Sequence, residues 1–326
     1  MSGSHPKVLL TGATGFVGGR LLPALLEAGL STRCLVRSAE RFRKPGTGGP
    51  GFDTVEGDLL DPGSLARALE GMDAAFYLVH SMGGRSISRY RDYIDRDIRA
   101  AENFVRAADA AGVKRIIYLG GLGETGDNLS DHLSSRQMVG EILQSGRVRA
   151  TALRAANIIG AGGAPFEMLR YLVERIPLMV CPRWIDTKCQ PIAIQNVIEY
   201  LLGCLLQPAA AGLTLDIGGP DIITYRDLML IYARARGLKR IIVTVPVLTP
   251  KLSSYWINLI TPVPAGVVMP LVEGLKNEVI CKDNRILDLV PIRLIPMEEA
   301  VCTALAEISE GPGRIPSMQS CLIRDV

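Results

Sequence analysis

The chain has 326 residues, 48% of them hydrophobic and 21% charged, with 36 basic against 33 acidic side chains and a formal net charge of +3. Such a composition buries a full core and excludes a disordered chain, and the near balance of charge leaves nucleic acid only the local cluster Arg37, Arg41, Arg43 and Lys44 to bind, so no nucleic-acid partner is expected. The seven cysteines form no Cys-x-x-Cys and stand at no metal-ligand spacing from the three histidines, so they read as reduced thiols without a metal.

Met1 to Pro6 lacks an apolar h-region, and no apolar run reaches the ~18 to 20 residues of a membrane span, so the expected location is the cytoplasm, with membrane contact confined to the surface. Lys7 to Leu10 predicts a strand and Val17 to Ala28 a helix with Leu21, Leu22, Leu25 and Leu26 on one face, stopped by Gly29. Thr32 to Val36 is the next strand, followed by a Gly/Pro loop over 45–51 and a strand from Asp53 to Gly57. A short helix covers Ser64 to Glu70, with Asp61 or Ser64 as its cap. Ala74 to Val79 reads as a buried strand, Tyr93 to Ala111 as a long helix closed by Gly112, and Lys114 to Leu119 as another strand. Ser130 to Gln144 is helical, Ala150 to Leu153 extended, and Leu213 to Ile217 a late strand.

Strand and helix alternate without a repeat, which predicts an α/β protein built on a doubly wound parallel sheet. The alternation weakens from Ala161 to Pro191 and from Asp221 to about Leu294, where prolines accumulate, and the stretches 161–190 and 221–310 follow from it. These stretches are assigned to a smaller substrate lobe, 6–160 with 191–220 to a dinucleotide-binding domain, and 311–326 to a tail.

Between the first strand and the first helix lies Thr11-Gly-Ala-Thr-Gly-Phe-Val-Gly18. Gly12 is placed for the tight turn, Gly15 for close approach of a pyrophosphate, and Gly18 for packing of helix on strand. Thr14, Phe16 and Val17 complete a helix amino end that faces the phosphates. The spacing Gly-x-x-Gly-x-x-Gly resembles that of the extended short-chain dehydrogenase/reductase superfamily, whose core is a Rossmann-type sheet with a C-terminal substrate lobe. The resemblance covers most of the chain and is closest to the atypical NAD(P)H-binding branch described as YbjT-like and NmrA-like.

The resemblance implies further roles. Asp58 and Leu59 match the pair that contacts adenine, and Leu78, Val79 and His80 the start of the next phosphate-side loop. Asn103 matches the family's helix asparagine, and the stretch Leu153 to Gly160, with Asn157 and Ile158, the border of the nicotinamide. At the end of the second strand an NAD enzyme places a carboxylate; this chain has Arg37-Ser38, with Arg33 and Arg41 near in sequence. An arginine grips a 2′-phosphate with paired hydrogen bonds, so NADPH is the expected cofactor, with NAD the alternative through Glu40.

The resemblance also exposes a loss. The superfamily's proton donor is the tyrosine of Tyr-x-x-x-Lys, and a serine orients the carbonyl. Here His132 and Arg136 occupy the tyrosine and lysine positions, and Gly120-Gly121 falls where the serine is expected. A free imidazole titrates near ~6.5, which suits a proton donor at neutral pH, and Arg136 follows one helical turn later. His80, at a strand end, is a second candidate donor. Phe166 to Tyr171, Met179 to Trp184 and Ser253 to Ile260 are apolar segments with scattered aromatic residues and arginines, suited either to a lipophilic substrate pocket or to lobe core. Three readings stay open: an NADPH-dependent oxidoreductase reducing a lipophilic carbonyl, enone or quinone; a catalytically silent NAD(P)H-binding redox sensor or scaffold; and a sugar-nucleotide epimerase.

Overall fold

A computed structural model describes residues 6–40, 42, 52–80, 90–123, 131–245, 260–263 and 265–310. Seven strands form one sheet in the order β11-β6-β5-β4-β1-β2-β3. They are β1 (Val8–Thr11), β2 (Thr32–Val36), β3 (Phe52–Glu56), β4 (Ala74–Tyr77), β5 (Arg115–Gly121), β6 (Arg149–Ala155) and β11 (Thr214–Ile217). Every pairing is parallel.

Because side chains alternate across a strand, the apolar runs feed two cores. Val8 and Leu10, with Phe76, Ile117 and Leu153, meet the buried faces of α1 (Gly18–Glu27) and α6 (Ile194–Leu206). On the other face Leu9, Ala75, Tyr77, Ile116 and Tyr118 meet α2 (Pro62–Leu69), α3 (Tyr90–Ala111) and α4 (Asp131–Gln144). Both faces are covered, which is why the strands read as continuous apolar stretches.

Several boundaries differ from the sequence reading, each for a local reason. The fourth strand stops at Tyr77 instead of Val79, because the Leu78 amide donates to the Thr11 hydroxyl. The second helix begins at Pro62: Asp61 is its cap, with Oδ1 accepting from the Gly63 amide at 3.0 Å, while the Ser64 hydroxyl turns back to Asp58. Val17 is the cap of α1 and not its first residue. β6 extends to Ala155 because β5 runs on to Gly121 and pairs with it.

Beyond β6 the chain makes small sheets. β7 (Ile158–Ile159) pairs with β10 (Ile192–Ala193), β9 (Lys188–Cys189) with β12 (Ile223–Thr224), and β8 (Leu178–Pro182) with β13 (Ile241–Val245). Helices α5 (Ala164–Arg175), α7 (Tyr225–Ala235) and α10 (Met297–Glu310) enclose a third core around Phe166, Leu169, Tyr232 and Val301. Two more helices, α8 (Ala265–Gly274) and α9 (Arg285–Leu289), precede α10. Among the described residues no helix is long and apolar enough to cross a membrane.

Candidate functional site

The strand order reverses between β1 and β4, and in open parallel sheets the crevice at the carboxyl ends of such a pair is the ligand site. Thr11 spans this split: its hydroxyl donates to the Phe76 carbonyl at 3.0 Å and accepts from the Leu78 amide at 3.1 Å. The next residue, Gly12, takes the left-handed conformation at φ 74°, and a β-carbon there would lie 2.9 Å from the Leu78 carbonyl oxygen. At Gly18 a β-carbon would collide with the Gly12 carbonyl oxygen, so the helix starts hard against the turn. The Gly15 amide closes the turn on the Gly12 carbonyl at 2.9 Å, whereas those of Phe16 and Val17 donate to no backbone acceptor among the described residues. No side chain caps this helix end and no acidic residue occupies its first turn. It is an open donor set with the helix dipole behind it, beside the exposed Thr14 and Gly15.

At the end of β2 Arg37 is exposed and Ser38 half-buried, and Arg37 has no hydrogen-bond or ionic partner among the described residues. The Glu56 carboxylate fixes this loop by accepting from the Ala39 amide at 2.7 Å. Arg33 is a correction. It sits early in β2, pairs with Asp53 at 3.2 Å and donates to the carbonyls of Arg67, Ala68 and Glu70, so it seals the end of α2 and stands away from the carboxyl edge. Arg41 lies outside the described residues. Asp58 accepts from the Leu60 amide at 2.9 Å, and the Leu59 carbonyl accepts from the Asn103 side chain at 3.2 Å, which pins the loop after β3 to α3. Val79 is half-buried; His80 is exposed but engaged with a neighbour.

Gly120 and Gly121 end β5. A β-carbon on Gly120 would stand 2.8 Å from the Tyr118 ring, and one on Gly121 2.9 Å from the movable Cδ2 end of Leu133, so the ring crowds a side chain at Gly120 more firmly than Leu133 does at Gly121. Tyr118 donates its hydroxyl to the Arg136 carbonyl at 3.0 Å. Burial pushes the phenols of Tyr77 and Tyr118 above the usual range, which favours their protonated forms. Arg136 is 6% exposed, not a solvated helix side chain, with its stem beside Gly121. The His132 backbone lies in the first turn of α4; its side chain lies outside the described residues.

The glycine turn touches the segment after β6 through Phe16, whose ring lies where β-carbons on Gly160 and Gly163 would reach it, at 3.1 and 2.9 Å. Arg20 stacks on that ring and donates to the Phe16 and Ala161 carbonyls and to Glu307 of α10 at 2.9 Å. From Asn157 and Ile159 a cavity of about 390 Å³ runs between α5, β8 and α7. Its wall is apolar: Met168, Leu169, Met179, Leu228 and Met229 are among the lining residues, together with Trp184 and Cys181. The half-buried Ile158 pairs with β10, and the Asn157 amide meets the hydroxyl of the buried Tyr225, which also reaches Cys189.

A family model described as NAD(P)H-binding matches residues 12–165. The chain is 33% identical over 235 residues to a (4-alkanoyl-5-oxo-2,5-dihydrofuran-3-yl)methyl phosphate reductase from Streptomyces griseus, covering 71% of this chain and 74% of the relative. The chain belongs to the NAD(P)H-binding short-chain dehydrogenase/reductase family. A 3 beta-hydroxysteroid dehydrogenase/Delta 5→4-isomerase from Mycobacterium tuberculosis is 29% identical over 196 residues, 52% of this chain, and the match spans about half of that relative, 51%. The fold is also that of the Bordetella bronchiseptica enzyme WbmH, solved in complex with NAD+, at a TM-score of 0.66 and 16% identity over 94% of this chain and 99% of that one.

Tested against this membership, the free amides of Phe16 and Val17, the acid-free first turn and the close Gly12–Leu78 approach suit a dinucleotide. Sequence reasoning missed Arg20 and Tyr225, while the segment Met179 to Trp184 that it set at a pocket does line the cavity. Arg20 looked like one more polar residue on α1, and nothing local ties it to Glu307. Tyr225 carried a weak signal as the first residue of a helix with a Thr224–Asp227 capping box, yet its contact with Asn157 exists only in the fold.

Proposed function

We propose that this protein is an NADPH-dependent oxidoreductase of the atypical branch, reducing a lipophilic carbonyl, enone or quinone. The observation that carries the reading is the apolar cavity that starts at Asn157 and Ile159, on the segment packed against the glycine turn through Phe16. A pure scaffold has no need of such a space beside its nucleotide site. The steroid dehydrogenase carries the name of an enzyme for a large apolar compound, whereas the Streptomyces reductase is named for an alkanoyl-bearing compound that also carries a phosphate. Residues 6–160 with 191–220 form the nucleotide part, and 161–190 with 221–310 the substrate part.

NADPH supplies the hydride when bound. The chain would hold it with the Gly12 to Val17 turn at the pyrophosphate, Arg37 and Ser38 at the 2′-phosphate, Asp58 and Leu59 at the adenine, and Leu78, Val79 and His80 along the phosphate-side loop. Gly120 and Gly121 give close approach, and Asn157 with Ile158 borders the nicotinamide. His132 is assigned the proton for the developing alkoxide and Arg136 the orientation of the ribose or of the imidazole.

The silent-binder reading has its own observation: the Tyr118 ring crowds any side chain at Gly120, where the serine is expected. Following NADPH fluorescence while quinones, enones and aldehydes are added separates the two. Acceptor-dependent oxidation that drops about 100-fold or more in His132→Ala, with NADPH affinity retained, is expected. NADPH binding without oxidation by any acceptor class selects the sensor or scaffold, and full turnover in the variant removes His132 from its role.

A further inference from the structure

Four large apolar side chains that stay exposed stand together. β8 and β13 pair in parallel with Leu178 opposite Ile241 and Val180 opposite Val243, so the four share one face of the ribbon. Leu178 is 55% exposed, Val180 56%, Ile241 63% and Val243 45%, while Met179, on the opposite face, is buried in the core of the lobe. Apolar residues scattered singly over a surface are ordinary, but a contiguous apolar face marks a place of contact. This face also runs into the cavity, because Leu178 and Val180 line it together with Ile176 and Pro182.

The charges around the face have one sign. The Ile241 amide donates to the Pro177 carbonyl at 3.0 Å, so the two strands begin side by side and bring Arg175, Lys239 and Arg240 to one edge. Arg183 follows the other end of β8. Arg175, Arg183 and Lys239 are exposed, and Arg240 is half-buried. Arg175 donates to the Ile260 carbonyl and Arg240 to the Glu174 carbonyl, neutral acceptors that leave both charges uncancelled. The acids of the same segments are already engaged: Glu174 pairs with Arg236 at 3.2 Å and Arg170 at 3.6 Å, and Asp186 with Arg226 at 2.6 Å.

This combination decides the occupant. A second copy meeting the first through the same face, as two-fold symmetry requires, would bring these cations towards one another. An anionic lipid surface answers both features at once, with phosphates for the cations and acyl chains for the apolar side chains. We infer that the β8–β13 face docks on an anionic bilayer: Leu178, Val180, Ile241 and Val243 enter the interface, and Arg175, Arg183, Lys239 and Arg240 meet the lipid phosphates. Docking in this way sets the cavity beside the lipid, so that a lipophilic ligand passes between them without crossing water. That passage rests on the reading of the cavity as a lipophilic substrate's site, whereas the docking does not.

The test is flotation of the full chain, free of nucleotide and acceptor, with vesicles of phosphatidylcholine alone or mixed with phosphatidylglycerol. Binding to the mixed vesicles should be about tenfold or more the stronger and should weaken with salt. Ile241→Ser combined with Val243→Ser, and separately Lys239→Glu, change residues that do not line the cavity, and each should weaken binding about tenfold with the thermal transition retained. In the natural chain the mixed vesicles should slow hydrogen exchange over 178–182 and 241–245 and not at β3 on the far sheet edge, which decides the matter even where a variant fails to fold. Absence of binding to the mixed vesicles, binding that the serine variant leaves intact, or protection confined to other elements overturns the inference. A lipid-free dimer that the serine variant splits gives the face to a second copy and overturns it as well. Because no NADPH or acceptor is present, vesicle binding can fail while the oxidoreductase reading holds, and the reverse.

Discussion

The glycine turn and the apolar cavity adjoin across Phe16 and the Asn157 to Gly163 segment, and they define their contents by opposite means. At the turn the backbone does the work: Gly12 in a left-handed conformation, Gly18 pressed on the Gly12 carbonyl, and the free amides of Phe16 and Val17. In the cavity side chains from α5, β8 and α7 shape a space in which only a few atoms are polar. Backbone recognition tolerates no added atom, while a wall of leucine and methionine tolerates many. A fold can thus keep its cofactor while its substrate drifts, and this chain shows both regimes within one contact.

The contrast is most sharply broken at Gly18. Gly18→Ala places a β-carbon on the Gly12 carbonyl, which has no room to move, so a loss of about 3 kcal/mol in stability and of measurable NADPH binding is expected by denaturant titration and fluorescence. Near-normal binding would show that the turn relaxes as readily as the cavity. Leu169→Ala, in the cavity wall and 6% exposed, should lower stability by about 2 to 3 kcal/mol yet leave NADPH affinity unchanged. A fall in cofactor affinity there would mean that the two regions are one site.

Arg37→Ala sharpens the nucleotide side further. An exposed arginine without a partner among the described residues should serve only the 2′-phosphate, so NADPH affinity falls about tenfold while NADH affinity holds. Equal losses would assign it a general role. The smallest effect belongs to Asp73 at the far, amino-terminal edge of the sheet. The hydrogen bond from the Lys114 ammonium, then that from the Lys7 amide, holds its carboxyl below the usual range. A lowered folded value means the pair stabilises the protein above the unfolded carboxylate pKa of about 3.9 and is lost as pH falls through the folded value. Asp73→Asn should therefore cost less than about 1 kcal/mol at neutral pH, with the difference vanishing in acid.

How much the chain discloses in advance follows the same division. Gly12, Gly15 and Gly18 are legible because the constraint they meet lies within one turn and few residue types satisfy it. The parallel sheet was legible because strands covered on both faces leave uninterrupted apolar runs, as in Val8 to Leu10 and Ala74 to Tyr77. Arg33 was misread because proximity along the chain to Arg37 says nothing about which end of a strand a side chain occupies. Trp184 and Asn157 line one cavity from separate elements, and no spacing rule records such a meeting. Arg154 with the buried Asp216, paired at 2.6 Å across neighbouring strands, was invisible for the same reason.

Arg20 gives the nucleotide turn a hold on the distant end of the chain. One guanidinium lies on the Phe16 ring, donates to the Ala161 carbonyl and pairs with Glu307 in the last helix. A single side chain thus ties the turn, the segment after β6 and the last helix together, and wherever a cofactor raises the affinity of a second ligand, linkage requires that ligand to raise the affinity of the cofactor by the same factor.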